Sequence, residues 1–336
     1  MSRPTMFNNI IKNTIKFYAN TDSLQNGEFN VAYGADGDFL FGTGVSIASI
    51  LLKNEALTFH FHIFTDSLDF KQQELLSELS KKYNSNISVH MISTESFKGL
   101  PTNKLWSNAI YFRLVIADFF YKKEDRVLYL DSDVICNGSL VEFENLNIDD
   151  YAAAAVTDRD SSLWKKRAKE LDFPKINNGY FNSGVMLINI EKWHSDDITS
   201  KTMGLLSDKK AKSKFSYYDQ DALNIALAEK VLFLDKKYNT QFSINYELKK
   251  NTINPVTQET IFIHYIGATK PWNSWSKYPS TSPFMNVMEK SPWKNEAMIK
   301  PKSSMQYRYA YKHMFNQGNK LKGIKYFVLY LMNKLK

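Results

Sequence analysis

With 336 residues, 43% hydrophobic and 23% charged, the chain is long enough for one large domain or two modest ones and apolar enough to build a soluble core. Its single cysteine, Cys136, excludes an internal disulfide and a Cys₂His₂-type zinc site, and it fits a reducing compartment. The net charge of +8 is uneven: from Lys290 onward ten Lys and one Arg stand against one Glu, net +10, whereas the residues before it hold 32 basic and 34 acidic, net −2, so an anionic partner is expected at the tail and not on the body.

The first 20 residues alternate polar and apolar types and lack the unbroken apolar run of a signal peptide. Phe29–Ala35 reads as a strand ending in the loop Gly34-Ala35-Asp36-Gly37-Asp38, and a helix-like run, Gly44–Lys53, follows. Leu57–Thr65 is β-branched and aromatic enough for a strand. Leu68–Tyr83 has helical periodicity, with Leu68, Leu75, Leu76, Leu79 and Tyr83 available to one face. Ile87–Ile92 is another strand, Ala109–Phe120 a helix, and Arg126–Asp131 a short apolar strand that runs into acids. Ala152–Thr157, Tyr180–Ile190 and Thr260–Tyr265 complete the strands. After Pro279 the alternation stops and the chain turns helical and basic; its longest apolar run there, Phe327–Met332, is far short of a membrane span. The sequons at Asn86 and Asn137 are expected to carry no meaning, because the chain reads as one that stays in the cytoplasm. Strands alternating with helices at this spacing give an α/β fold with a mostly parallel sheet, whose ligands sit beyond the carboxyl ends of strands.

Two of those ends carry paired acids: Asp36 with Asp38, and Asp131 with Asp133. Strand geometry puts Asp131 and Asp133 on one side, about 6–7 Å apart at Cα, where two carboxylates repel unless a cation lies between them. A hard divalent ion such as Mg²⁺ or Mn²⁺ suits them; a solvated acidic turn is the other reading. In Phe262-Ile263-His264-Tyr265-Ile266-Gly267-Ala268-Thr269-Lys270-Pro271-Trp272 a strand again ends in a possible ligand, His264; Gly267 allows close backbone approach and Lys270 offers a point charge for phosphate. Asn182 has donors and acceptors for sugar hydroxyls. Asp219, Gln220 and Asp221 lead into an amphipathic helix, Ala222–Glu229, where acids cap the first turn, and Asp221 is expected to do only that. Arg113, flanked by apolar residues within a helix, can pair with an internal acid or face a diphosphate. No Gly-x-Gly-x-x-Gly follows a strand and no Walker A sequence occurs, which weakens dinucleotide and P-loop readings.

Taken together, Ala35-Asp36-x-Asp38, Asp131-Ser132-Asp133, Phe181-Asn182-Ser183-Gly184, Asp219-Gln220-Asp221 and His264-Tyr265-x-Gly267-x-x-Lys270-Pro271-Trp272 resemble, in this order over roughly residues 29–280, glycosyltransferase family 8, the retaining GT-A enzymes. Tyr238-Asn239-Thr240-Gln241-Phe242, Ser291-Pro292-Trp293-Lys294-Asn295-Glu296 and the basic, aromatic tail make the chain most similar to the members that build the outer core of enterobacterial lipopolysaccharide. The resemblance implies a GT-A fold, Rossmann-like with a mixed, mainly parallel central sheet. It divides the chain into an N-terminal extension (1–28), a catalytic domain (29–280) and a helical membrane-association region (281–336). It implies transfer of galactose or glucose from a UDP-hexose to the lipopolysaccharide core, in α-1,3 linkage, by a protein on the cytoplasmic face of the inner membrane with no nucleic-acid partner.

Residue by residue, it implies that Asp131, Asp133 and His264 bind Mn²⁺ or Mg²⁺. Asp36 and Asp38 would contact uridine, Phe39 would lie against the uracil, and Gly267 and Lys270 would contact phosphate. Arg113, Asn182, Asp219 and Gln220 would surround the hexose, with Asp158 at its junction with the acceptor. Gly37 stands where some relatives have a second acid. A UDP-sugar hydrolase or nucleotidyltransferase would use the same metal, and a silent membrane-binding module would keep only the fold. In the tail, Leu321, Ile324, Val328, Leu331 and Leu335 recur at helical steps among Lys320, Lys322, Lys325, Lys334 and Lys336, with Tyr326, Phe327 and Tyr330 suited to a headgroup boundary. Such a helix would lie in the interface of an anionic membrane; docking of the stripe on the domain is the alternative.

Overall fold

The computed structural model describes residues 6–7, 9–18, 28–103 and 107–335. Five strands form the half of the main sheet that comes first in the chain: β1 (Ile11–Phe17), β2 (Phe29–Gly34), β3 (Phe59–Thr65), β4 (Asn86–Ile92) and β5 (Arg126–Leu130). After the short β6 (Val134–Cys136) come β7 (Ala153–Thr157), β8 (Phe181–Asn189) and β9 (Val231–Leu234), then β10 (Thr240–Gln241) and β11 (Phe262–His264). The main sheet has the order β1-β4-β3-β2-β5-β8-β7-β9; β10-β11-β6 form a separate, three-stranded sheet. β2 pairs in parallel with β3 and β5, and β3 with β4, whereas β8 runs antiparallel to both β5 and β7.

Helices cover both faces, so the central strands read as nearly continuous apolar runs. Successive side chains still part company: Val31, Tyr33, Leu128 and Leu130 enter the core under the helix Phe39–Lys53, while Ala32, Val127 and Tyr129 enter the core beside the helix Phe112–Phe120. Tyr129 therefore points to the same side as Asp131, two residues on.

Most expected strands appear within two residues of their sequence limits. The helix read as Gly44–Lys53 starts five residues earlier, at Phe39, with Asp38 at its N-cap. It is buried nearly all round, so no polar face marks its first turn. The expected helix Ala109–Phe120 is a 3₁₀ turn, Asn108–Tyr111, followed by the helix Phe112–Phe120. Residues 11–17, within the stretch read as an extension, form β1, an antiparallel edge strand on β4.

The C-terminal region packs through the helix Ser282–Lys290 and the 3₁₀ turn Pro292–Asn295, which buries Trp293, against the helix Phe39–Lys53. Two further helices, Ser304–Asn316 and Lys320–Lys334, form a hairpin joined by Tyr307–Tyr326 and Tyr311–Phe327 ring contacts.

Candidate active site

The site grows from strand ends. β5 stops at Leu130, and the backbone N–H of Asp131 donates to Gly184 O of β8 at 2.8 Å, which places the first acid over that strand. Asp133 opens β6, and β6 pairs antiparallel with β11 so that Val134 lies opposite His264. The short second sheet thus brings His264 from 131 residues away onto Asp133. One ligand atom from each of Asp131, Asp133 and His264 lies within 4.8 Å of the others, the one such group among the described residues. His264 Nε2 stands 3.2 Å from Asp133 Oδ1 and 3.8 Å from Asp131 Oδ2. Gly184 lets the strand pass beneath them: a Cβ there would lie 2.3 Å from His264 Cε1 and 2.6 Å from Asp131 Oδ2.

Two oxygens and one imidazole nitrogen suit a hard or borderline divalent ion. Burial raises the pKa of Asp133, but the Lys270 ammonium bonded to its carboxylate and the adjacent His264 reverse this and hold it well below the usual range. Lys270 thus already meets the charge demand of one ligand. Asp131 Oδ1 accepts from Tyr129 OH at 2.6 Å and from Arg113 Nη2 at 3.0 Å. The donor set therefore fits a divalent metal.

On the far side of Asp131, Arg113 is buried, its guanidinium 4.7 Å from the Tyr129 ring centroid. Its remaining nitrogens bond Ser183 O and Oγ, Ile110 O and Asp219 Oδ2 (3.2 Å). Of the two readings for Arg113, pairing with internal acids is the one its contacts show. Burial pushes Asp219 up to about 6, with Arg113 opposing and Asp131 adding to the rise. Gln220 Oε1 accepts from Asn182 Nδ2 and the Ser183 backbone N–H, both at 3.2 Å, and its Nε2 donates to Asp158 Oδ2 at 2.9 Å. Asp158 Oδ1 is buried without a hydrogen bond, 3.5 Å from Arg159 Nε.

Asp221, expected only to cap its helix, is instead fully buried in an ion pair with Arg167 Nη2 at 2.7 Å and accepts the Ser216 and Tyr217 backbone N–H groups. The partner, Arg167, lies 54 residues earlier on the helix Ser161–Leu171, where spacing gives no sign of it.

Lys270 connects the Asp131–Asp133–His264 group to the other expected group. Its Nζ lies 5.9 Å from the Phe39 ring centroid, and Phe39 packs edge-on against Trp272 at 5.6 Å. Gly267, at φ +91, makes the turn between β11 and Lys270; a Cβ would meet Ser243 Oγ at 2.9 Å. Asp36 and Asp38 flank the start of the Phe39 helix. Burial raises the pKa of Asp36, a hydrogen bond from Ser107 opposing it. Asp38 is held from outside by Lys302 Nζ, at 2.7 and 2.8 Å to its two oxygens.

Four neighbours carry no assignment in the sequence reading: Tyr129, Ser183, Gly184 and Asn239. Ser183 and Gly184 sit inside the Asn182 motif and Asn239 inside Tyr238-Asn239-Thr240-Gln241-Phe242, so the signal was there without a role; Tyr129 was legible only as a core strand residue.

Residues 30–276 match glycosyl transferase family 8, and residues 278–334 match its C-terminal region. The chain is 46% identical to a lipopolysaccharide 1,3-galactosyltransferase of Salmonella typhimurium, over 100% of this chain and 99% of that one. It is 44% identical to a lipopolysaccharide glucosyltransferase of Escherichia coli, over 96% of each. Its fold is similar to that of the galactosyltransferase LgtC solved with donor and acceptor sugar analogs, with a TM-score of 0.66, 22% identity, and 78% of this chain and 96% of that one covered.

Proposed function

Since the chain belongs to glycosyltransferase family 8, we propose that this GT-A enzyme moves galactose or glucose from a UDP-hexose onto the lipopolysaccharide core, in α-1,3 linkage with retention. One observation carries the reading: Asp131, Asp133 and His264 converge within 4.8 Å, with Lys270 on Asp133 and Phe39 beyond it, so a metal-diphosphate and a base have adjoining places.

Asp131, Asp133 and His264 would hold Mn²⁺ or Mg²⁺, which would supply positive charge to the diphosphate of the departing UDP. Lys270, already next to Asp133, adds a point charge that a phosphate oxygen can take over. The Phe39 face stacks the uracil, Gly267 leaves room for phosphate, and Asp36 and Asp38 accept from uridine. Arg113 and Asp219 bound the hexose pocket on the Asp131 side, Asn182 and Gln220 on the other, and Asp158 reaches the acceptor junction. Gln220 is a neutral amide bonded at both ends, hence a poor nucleophile. Its dipole instead lies beside a sugar that becomes positive as the bond to phosphate lengthens. Same-face attack by the acceptor hydroxyl, its proton passing to the departing phosphate, then gives retention.

The acceptor is lipid-held, and the tail supplies a surface for it. Leu321, Ile324, Val328 and Leu331 on the helix Lys320–Lys334 are all exposed, Leu321 at 84%, among Lys320, Lys322, Lys325 and Lys334; Lys336 lies outside the described residues. Its contacts to the helix Ser304–Asn316 use the other edge, through Tyr326, Phe327 and Tyr330. Among the described residues no helix is long and apolar enough to cross a membrane. The exposed stripe and the net +10 from Lys290 onward favour an anionic inner-membrane surface on the cytoplasmic side as its partner.

Incubating the protein with UDP-galactose or UDP-glucose and truncated lipopolysaccharide, with products read by mass spectrometry, tests the assignment. One added hexose from one of the donors is expected; free hexose at the same rate with and without acceptor would make the protein a hydrolase.

A further inference from the structure

Two backbone amides of β8 fix the polarity of a buried hydrogen-bond chain that ends on the metal-ligand histidine. A backbone N–H can only donate. The Gly184 N–H donates to Asn182 at 3.1 Å, so the atom it meets is the carbonyl oxygen Oδ1. The Ser183 N–H likewise identifies Oε1 of Gln220, and the remaining end of Asn182, its NH₂, donates to that same oxygen at 3.2 Å. Asn239 approaches Asn182 Oδ1 at 3.0 Å and must present its own NH₂ there. Its carbonyl oxygen is then the atom 3.0 Å from His264 Nδ1. An oxygen at that distance requires a proton on Nδ1, so the single proton of the neutral imidazole sits there, and Nε2, the nitrogen facing Asp131 and Asp133, keeps its lone pair for a metal that displaces any second proton. Asn182, Gln220, Asn239 and His264 are all buried, so water cannot supply the alternative polarity.

We propose that Asn239 is the positioning residue that sets the tautomer of His264 from the β8 backbone and ties this ligand to Gln220 through Asn182. Alone, an imidazole would share its proton between two nitrogens, and the Nε2–H form would turn a donor toward Asp133 and block the ligand position. Asn239 removes that form by giving Nδ1–H an acceptor and holds the acceptor in place by giving its own NH₂ to Asn182. The same bonds align the Asn182 amide that orients Gln220, so one side chain serves both the metal position and the hexose pocket. The inference rests on reading Asp131, Asp133 and His264 as metal ligands.

Two measurements test it without relying on turnover. Imidazole ¹⁵N–¹H correlations of the metal-free protein report which nitrogen of neutral His264 holds the proton, and calorimetry with Mn²⁺ alone reports the ligand set. Wild-type protein should show Nδ1–H. Asn239→Leu, which offers no acceptor, should lose the single tautomer and bind Mn²⁺ about 10–100-fold more weakly, the usual cost of losing a residue that orients a ligand. Asn239→Asp keeps an acceptor for Nδ1–H but has no N–H for Asn182. It should keep the tautomer and Mn²⁺ affinity while kcat for transfer falls, and it carries the test should Asn239→Leu not fold. Unchanged tautomer and Mn²⁺ affinity in Asn239→Leu, or loss of Mn²⁺ binding in Asn239→Asp, would overturn the proposal. Wild-type protein that shows Nδ1–H yet binds no Mn²⁺ would overturn the metal reading and leave the tautomer assignment standing.

Discussion

A Cβ on Gly184 would lie 2.3 Å from His264 Cε1 and 2.6 Å from Asp131 Oδ2, and neither can yield without moving from its place in the Asp131–Asp133–His264 group. Gly184→Ala should therefore weaken Mn²⁺ binding and transfer by about 10-fold or more, in the range found for residues that orient metal ligands; calorimetry that finds wild-type affinity would show that the ligands relax freely. Gln220→Ala should lower kcat more than it raises the donor KM, because the amide dipole matters most as positive charge develops on the sugar. Lys270→Ala should weaken UDP itself, and unchanged UDP binding in calorimetry would remove its phosphate role. Asp131, Asp133, His264 and Lys270 were legible because each lies within a few residues of a strand end. Asn239 was not: its meaning lies in His264, 25 residues on, and Asn182, 57 residues back. The fate of Asp221 was hidden for the same reason, since only the fold supplies Arg167.

Elements were legible where one period held and illegible where packing overrode it. β2 to β5 read as apolar runs bounded by turns. β6 and β10, at three and two residues, are too short to register, yet β6 is what seats His264 on Asp133. β1 is half exposed and gained its partner only from β4. On the sheet beside it, His62 bonds His90 and Asn30, His90 bonds Thr14, and His60 bonds Ser88 and packs its ring on His62, within the sheet face covered by Phe119 and Phe120. Burial pushes His60 down to about 4 and His90 to about 3, with neighbouring Lys16 acting in the same direction, and holds His62 well below the ordinary range. In the unfolded chain these rings take up protons near 6.5, before the folded ones do. Stability is therefore intact above that pH and lost as pH falls from about 6.5 toward 4, by on the order of 3 kcal/mol from His60 alone. Urea unfolding at pH 7 and 4.5 should show this loss, reduced in His60→Gln; equal losses in the two proteins would remove His60 from the account.

For the whole molecule, charge and shape divide the work: a nearly neutral body carries the Asp131–Asp133–His264 group, and a cationic hairpin presents apolar residues outward. Lys302 joins the two by gripping Asp38 at the start of the Phe39 helix, although an exposed pair of this kind adds at most about 1 kcal/mol. The tail stripe was readable from helical spacing; that the hairpin leaves it exposed was not, because the sequence does not say which face Tyr307 and Tyr311 would cover. Replacing Leu321, Ile324, Val328 and Leu331 together with Ser should abolish sedimentation with anionic vesicles at low salt and slow transfer to a membrane-held acceptor, while UDP-hexose hydrolysis stays near wild type. Equal sedimentation would show that the stripe is not the contact. Hexose transfer should depend on a divalent ion held by the Asp131–Asp133–His264 group. The most direct test is the rate of transfer from UDP-hexose to truncated lipopolysaccharide in excess chelator, after restoring Mn²⁺ or Mg²⁺, and in Asp131→Ala, Asp133→Ala and His264→Ala. Loss on chelation, recovery with metal, and a fall of about 10²-fold or more in each variant are expected, the scale of removing a main electrostatic stabiliser; full transfer in excess chelator would rule out the metal assignment.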